Sequence, residues 1–97
     1  MEQNQTPRVV RRAYRFTGWV QGVGFRWRAR AAADALGVTG CVENDSDGSV
    51  YLEAQGTPAA LDCLLAALYR GQYIQIDRVE TRPLPLVDGE RGFAVRG

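Results

Sequence analysis

The sequence predicts an α/β (α+β) fold, a ferredoxin-like βαββαβ sandwich with two helices packed on one face of an antiparallel sheet. Three observations carry that prediction. Strand-like segments rich in aromatic and β-branched residues flank two segments whose apolar residues recur at helical spacing. The segments follow one another as strand, helix, strand, strand, helix, strand, which makes two crossovers of similar size, each expected to be right-handed. Ninety-seven residues with 45% apolar content suffice for one core and not for two, and no linker or low-complexity segment interrupts them.

Each element has its own signal. Residues 1–12 read as a flexible N-terminal extension, and 13–97 as the single domain. Arg8, Arg11, Arg12 and Arg15 form a basic cluster that reads as a solvated arm leading into a strand. From Ala13 to Val20, AYRFTGWV alternates and forms that first strand, running into a glycine-rich loop. Phe25, Ala29, Ala32, Ala33 and Leu36 then mark a helix over 25–36, with Gly37 as its stop. TGCVEN and SVYLEAQ flank DSDG, which predicts a hairpin with Gly48 in the left-handed conformation and with Val50, Leu52 and Ala54 on one face. Thr57 and Pro58 give an N-cap and a first turn, Leu61, Leu64, Leu65 and Leu68 an apolar stripe, and Gly71 follows the end of this second helix. YIQIDRVET alternates again, and after a proline-containing connection GFAVR adds a short closing strand.

Composition narrows the function classes. A net charge of +1, from 12 basic and 11 acidic residues, gives no general reason to bind nucleic acid or an anionic membrane. No stretch approaches the ~20 apolar residues of a membrane span, and the first residues lack the apolar block of a secretory signal, so a soluble, cytoplasmic protein is expected. Cys41 and Cys63 read as reduced packing residues. The chain has no histidine, which removes the commonest general base and the commonest metal ligand together.

The segment GWVQGVGFR, Gly18 to Arg26, holds the first candidate chemistry. If the strand ends near Val20 and the helix starts near Phe25, the backbone N–H groups of Gln21, Gly22, Val23, Gly24, Phe25 and Arg26 converge on one point. The helix dipole favours an anion there, and the glycines leave room for close approach. Arg26 adds a planar donor fork suited to phosphate oxygens. On composition alone a tight structural turn explains the same glycines, so both readings stand at this point. The loop lacks the Gly-Lys-Ser/Thr ending of a P-loop and the third glycine of a dinucleotide fingerprint.

Asn44 closes a strand beside that loop, and its carboxamide offers both a donor and an acceptor. Asp47 and Gly48 read as turn residues. DSDGS is similar to the D-x-D-G-T motif of haloacid-dehalogenase-type phosphatases with Asp45 as nucleophile, but that chemistry needs a larger doubly wound domain. Gly48 comes too early for an EF-hand. Neither cysteine has the arginine six residues on that a cysteine phosphatase requires, since Asp47 and Tyr69 stand there. RGFAV, Arg91 to Val95, resembles the start of the RNP1 motif, so an RNA-binding or non-catalytic interaction module of the same architecture is the alternative. RNP1 lies on an interior strand and needs an aromatic where Val95 stands.

GWVQGVGFR and, eighteen residues beyond Arg26, NDSDGSV together resemble the acylphosphatase family, over roughly Ala13 to Arg96. The resemblance implies hydrolysis of acyl phosphates to a carboxylate and inorganic phosphate, without metal or cofactor. By the same resemblance Arg26 matches the phosphate-binding arginine, Asn44 the water-orienting asparagine, and the backbone of residues 21–26 the phosphate loop. It also implies a small-molecule acyl phosphate as partner, with a phosphate or sulfate ion at the site; no nucleic acid and no membrane partner is expected, and a monomer is expected. Broad acyl tolerance is expected of a site that grips only the phosphate end. Cys41 stands where the family commonly has tryptophan, and GQYIQI replaces a segment that often carries proline; neither falls on the matched site residues.

Overall fold

The computed structural model describes residues 8–97, so the expected flexibility of residues 1–7 lies outside the described residues. The elements are β1 (Val10–Trp19), α1 (Phe25–Leu36), β2 (Thr39–Asn44), β3 (Val50–Gly56), α2 (Pro58–Tyr69), β4 (Gln75–Leu84) and β5 (Phe93–Arg96). They form one five-stranded sheet in the order β4-β1-β3-β2-β5. β1 lies between β3 and β4 and β3 pairs with β2, all antiparallel, whereas β5 pairs in parallel with β2. The expected antiparallel sheet is thus a mixed one at its β5 edge.

Alternation decides which residues of each strand meet the helices. Tyr14 and Phe16 on β1, Val42 on β2, Val50, Leu52 and Ala54 on β3 and Phe93 on β5 enter one core with Phe25, Ala29 and Ala33 of α1 and Leu61, Leu64 and Leu68 of α2. Leu36, expected in the α1 stripe, lies at its exposed edge, and Leu65 is half-buried. α2 begins as its sequence demands: the Thr57 hydroxyl accepts from the Ala60 N–H at 3.1 Å, with Pro58 at the first turn. Of the two cysteines, Cys41 is buried but Cys63 is exposed on α2, so only Cys41 packs as expected; both are free thiols.

Two strand boundaries differ from expectation. β1 starts at Val10 rather than Ala13, because the pairing with β3 and β4 reaches back to Val10 and Arg11. β4 starts at Gln75 rather than Tyr73 and runs on through Pro83. An edge strand tolerates a residue that cannot donate to the ladder.

Of the basic cluster only Arg8 is exposed as a solvated arm would be. Arg11 is buried on the helix-free side of the sheet, its Nη1 2.7 Å from Glu90 Oε1 and its Nη2 2.8 Å from Glu53 Oε1. Tyr51 donates to the other Glu53 oxygen at 2.6 Å, and burial together with that carboxylate pushes its phenol up to about 12. Arg12 pairs with Asp62 and Arg15 with Asp45. Carboxylates are thus partners of Arg11, Arg12 and Arg15, while Arg8 is exposed.

The connection from β4 to β5 has to cross the whole sheet, since these strands form its two edges. It crosses at the end where β1 and β2 begin and β3 ends. Gln55 holds Val87 by two hydrogen bonds, Glu90 meets Arg11, and the Gly40 N–H donates to Gly92 O at 3.1 Å. β5 is thereby launched beside β2 toward the opposite end of the sheet, where β1 and β2 finish. Among the described residues no helix is long and apolar enough to cross a membrane.

Candidate active site

At the end of the sheet where β1 and β2 finish, the chain passes from Val20 to Phe25 through four residues whose two flanks are pinned. Val20 is 1% exposed and Phe25 2%. The Phe25 ring packs against Phe16 with centroids 5.0 Å apart and planes tilted 58°, a pair contributing about 0.5–1.5 kcal/mol beyond its burial. The turn between these anchors is shaped by Gly22 at φ 73° and Gly24 at φ 78°. A β-carbon on either would meet nothing within 4 Å. Their left-handed backbone favours glycine at both, and the space beside each Cα is clear of protein atoms.

Gly24 is the N-cap of α1, with no side-chain cap and no acidic residue in the first turn. The first N–H of the helix to find a helical partner is that of Arg28, which donates to Gly24 O at 3.0 Å. The amides ahead of it and the positive end of the helix dipole remain for an anion. A cavity of about 220 Å³ opens there, lined by Val20, Gly22, Gly24, Phe25, Arg26, Trp27 and Asn44.

The structure therefore brings Arg26 and Asn44 to one cavity. Gly22, Gly24 and Phe25 line it with them, while Gln21 and Val23 lie in adjoining clefts. Arg26 is held from β5: its Nη1 donates to Arg96 O at 2.7 Å and to Gly97 O at 2.8 Å. Asn44 is the last residue of β2, paired with Val50, and its carboxamide makes no hydrogen bond among the described residues. Its donor and acceptor face solvent and whatever occupies the cavity.

Asp45, Asp47 and Gly48 have the turn roles expected of them. Gly48, at φ 92°, returns its N–H to Asp45 O, and Asp47 accepts from the Ser49 hydroxyl at 2.6 Å and the Ser49 N–H at 3.0 Å, which holds its carboxyl below the usual carboxylate range. Sequence reasoning missed two braces. The Gln21 side chain donates to Asp45 O at 2.7 Å and Ser49 O at 2.8 Å, tying the glycine loop to the hairpin that carries Asn44. Arg15 grips the same hairpin through Asp45 at 2.6 Å and the Ser49 hydroxyl at 3.0 Å.

Comparison with known proteins places the chain in a family. The family model described as Acylphosphatase matches residues 12–95. An acylphosphatase of Lacticaseibacillus paracasei is 44% identical over 82 residues, covering 82% of this chain and 88% of that protein. One of Salinibacter ruber is 46% identical over 83 residues, covering 84% and 87%. The crystal structure of acylphosphatase from Bacillus subtilis superposes with a TM-score of 0.84 at 26% identity, over 93% of this chain and 100% of that one. A glycine loop at an uncapped helix, an arginine and an asparagine on one cavity, and matches of this extent lead to one assignment: the chain belongs to the acylphosphatase family.

Proposed function

We propose that this acylphosphatase hydrolyses acyl phosphates by direct attack of a water on phosphorus. Arg26 and the backbone amides of residues 21–26 hold the phosphoryl group, and Asn44 orients the water. The observation that carries the reading is the meeting of Arg26, the left-handed glycines and Asn44 around one cavity at the uncapped start of α1.

The water oxygen bonds to phosphorus as the bond from phosphorus to the acyl oxygen breaks, its electron pair leaving on the carboxylate. The proton shed by the water passes to a phosphoryl oxygen, giving carboxylate and inorganic phosphate. Such transfer depends on positioning and on stabilising charge over the phosphoryl oxygens, which amides and a guanidinium supply. The leaving carboxylate is the base of an acid with pKa of roughly 4, so it departs unprotonated and a chain without histidine suffices. Anchoring Nη1 on two carbonyls fixes the guanidinium plane and keeps its remaining N–H groups for the substrate.

The alternative of RNA recognition lacks its reading surface. Phe93, the aromatic of RGFAV, is 5% exposed and packed in the core, where no base can stack on it. Release of phosphate from benzoyl or acetyl phosphate, in excess chelator and beside a simple phosphate monoester, tests the proposal. Hydrolysis of the acyl phosphates and not of the monoester is expected; an inert acyl phosphate would falsify it.

A further inference from the structure

Two clefts adjoin the cavity of Arg26 and Asn44. One, of about 440 Å³, is walled by Trp19, Gly22, Val23 and Tyr73 and shares Gly22 with the cavity. The other, of about 590 Å³, shares Val20 and carries the Asp77 carboxylate, which repels an anionic substrate. Trp19 and Tyr73 leave 70% and 72% of their surface exposed, although either ring would gain by meeting an apolar group.

Their place in the sheet gives them a direction. Asn44 ends β2, on one flank of β1, whereas Trp19 pairs with Gln75 at the start of β4, on the other, and Tyr73 lies two residues before it. In-line displacement sets the attacking water and the leaving oxygen on opposite sides of phosphorus. A water at Asn44 therefore sends the acyl group toward the flank of Trp19 and Tyr73. We propose that the cleft of Trp19, Val23 and Tyr73 is the subsite for the acyl group, and that it favours aromatic over small acyl groups. The inference rests on the roles proposed above for Arg26 and Asn44, and it replaces the broad acyl tolerance expected of a site that reads only phosphate.

The test compares kcat/KM for benzoyl and acetyl phosphate in the wild type, Trp19→Ala, Tyr73→Ala and Trp19→Phe. The benzoyl-to-acetyl ratio is expected to fall about five- to tenfold in each alanine variant, through the KM of benzoyl phosphate, and to survive in Trp19→Phe. A ratio that stays constant in both alanine variants, or equal loss on both substrates, overturns the subsite while leaving the hydrolytic reading intact. If the wild type turns over neither substrate, the hydrolytic reading fails first and the subsite falls with it.

Discussion

Arg26 is held by one nitrogen, on Arg96 O and Gly97 O, and its guanidinium lines the cavity. In the proposed mechanism Asn44, uncharged, contributes orientation alone. The two side chains should therefore fail differently when truncated. Arg26→Ala is expected to weaken inhibition by inorganic phosphate at least ~100-fold and to lower kcat/KM by about 10³. Asn44→Ala should lower kcat by about 10²–10³ and move the phosphate inhibition constant less than about threefold. Steady-state kinetics with phosphate as competitive inhibitor reads both, and equal loss of phosphate binding would contradict the division of roles. Both residues were legible in the sequence, because a glycine-rich strand-to-helix turn and a strand end before a hairpin are local patterns. The Gln21 side chain was not. Its partners are carbonyls 24 and 28 residues away, and no local pattern announces a bond of that kind.

At the scale of the element, α1 begins in a way that stability alone does not favour. Gly24 caps it without a side-chain acceptor, no acid sits in the first turn, and Arg26 and Arg28 come early, where the positive end of the dipole disfavours them. Arg28 is relieved by Ala67 O on α2 at 2.7 Å, but Arg26 points its charge at the cavity. An anion in the cavity offsets both the free amides and that charge. Gly24→Ala forces a β-carbon onto a left-handed residue and should cost about 1–2 kcal/mol in a urea unfolding curve. It should weaken phosphate inhibition too, since it re-aims amides that the proposed mechanism assigns to the phosphoryl group. The α1 bounds, Phe25 and Leu36, were readable because the apolar period starts and stops there and Gly37 terminates it. The start of β1 and the passage of β4 through Pro83 were not readable. Pairing partners far along the chain decide them, and an edge position changes what proline is allowed to do.

Across the whole molecule, the far end of the sheet supports the near end. Arg11, Glu53 and Glu90 fix the crossing from β4 to β5, and the direction of that crossing delivers Arg96 and Gly97 to Arg26. Burial opposes the charge of Glu90, but the hydrogen bonds from Arg11 and Thr39 and the charge of Arg11 together outweigh it and hold the carboxyl below its usual range; the Tyr51 hydroxyl and Arg11 do the same for Glu53. Depressed carboxylates stabilise the fold above their unfolded pKa of about 4.3 and lose that contribution as pH falls through the lower folded values, so the wild type should be less stable at pH 3.5 than at pH 7. In Arg11→Met, Glu90 keeps its burial and the Thr39 hydrogen bond but loses both the hydrogen bond and the charge of Arg11. With burial the largest remaining influence, its folded pKa is expected to rise above the unfolded one, so that its contribution is lost as pH rises rather than as it falls. The variant should lose about 3 kcal/mol at pH 7 and recover part of that toward pH 4.5, as read by urea midpoints at the two pH values. The order of elements was legible because periodicity and turn residues are local. The parallel β5 edge was not, because it follows from where the crossing is pinned, and Arg11 looked like one more solvated basic residue. The bonds from Arg26 to Arg96 and Gly97 close loops of 70 and 71 residues. A nascent chain that has emerged only through α2 already holds the glycine loop and Asn44, yet its arginine still swings free. Turnover should thus report whether β5 is docked, and a fraction of molecules with β5 transiently undocked would be counted as missing active sites long before it registered as lost helix or sheet.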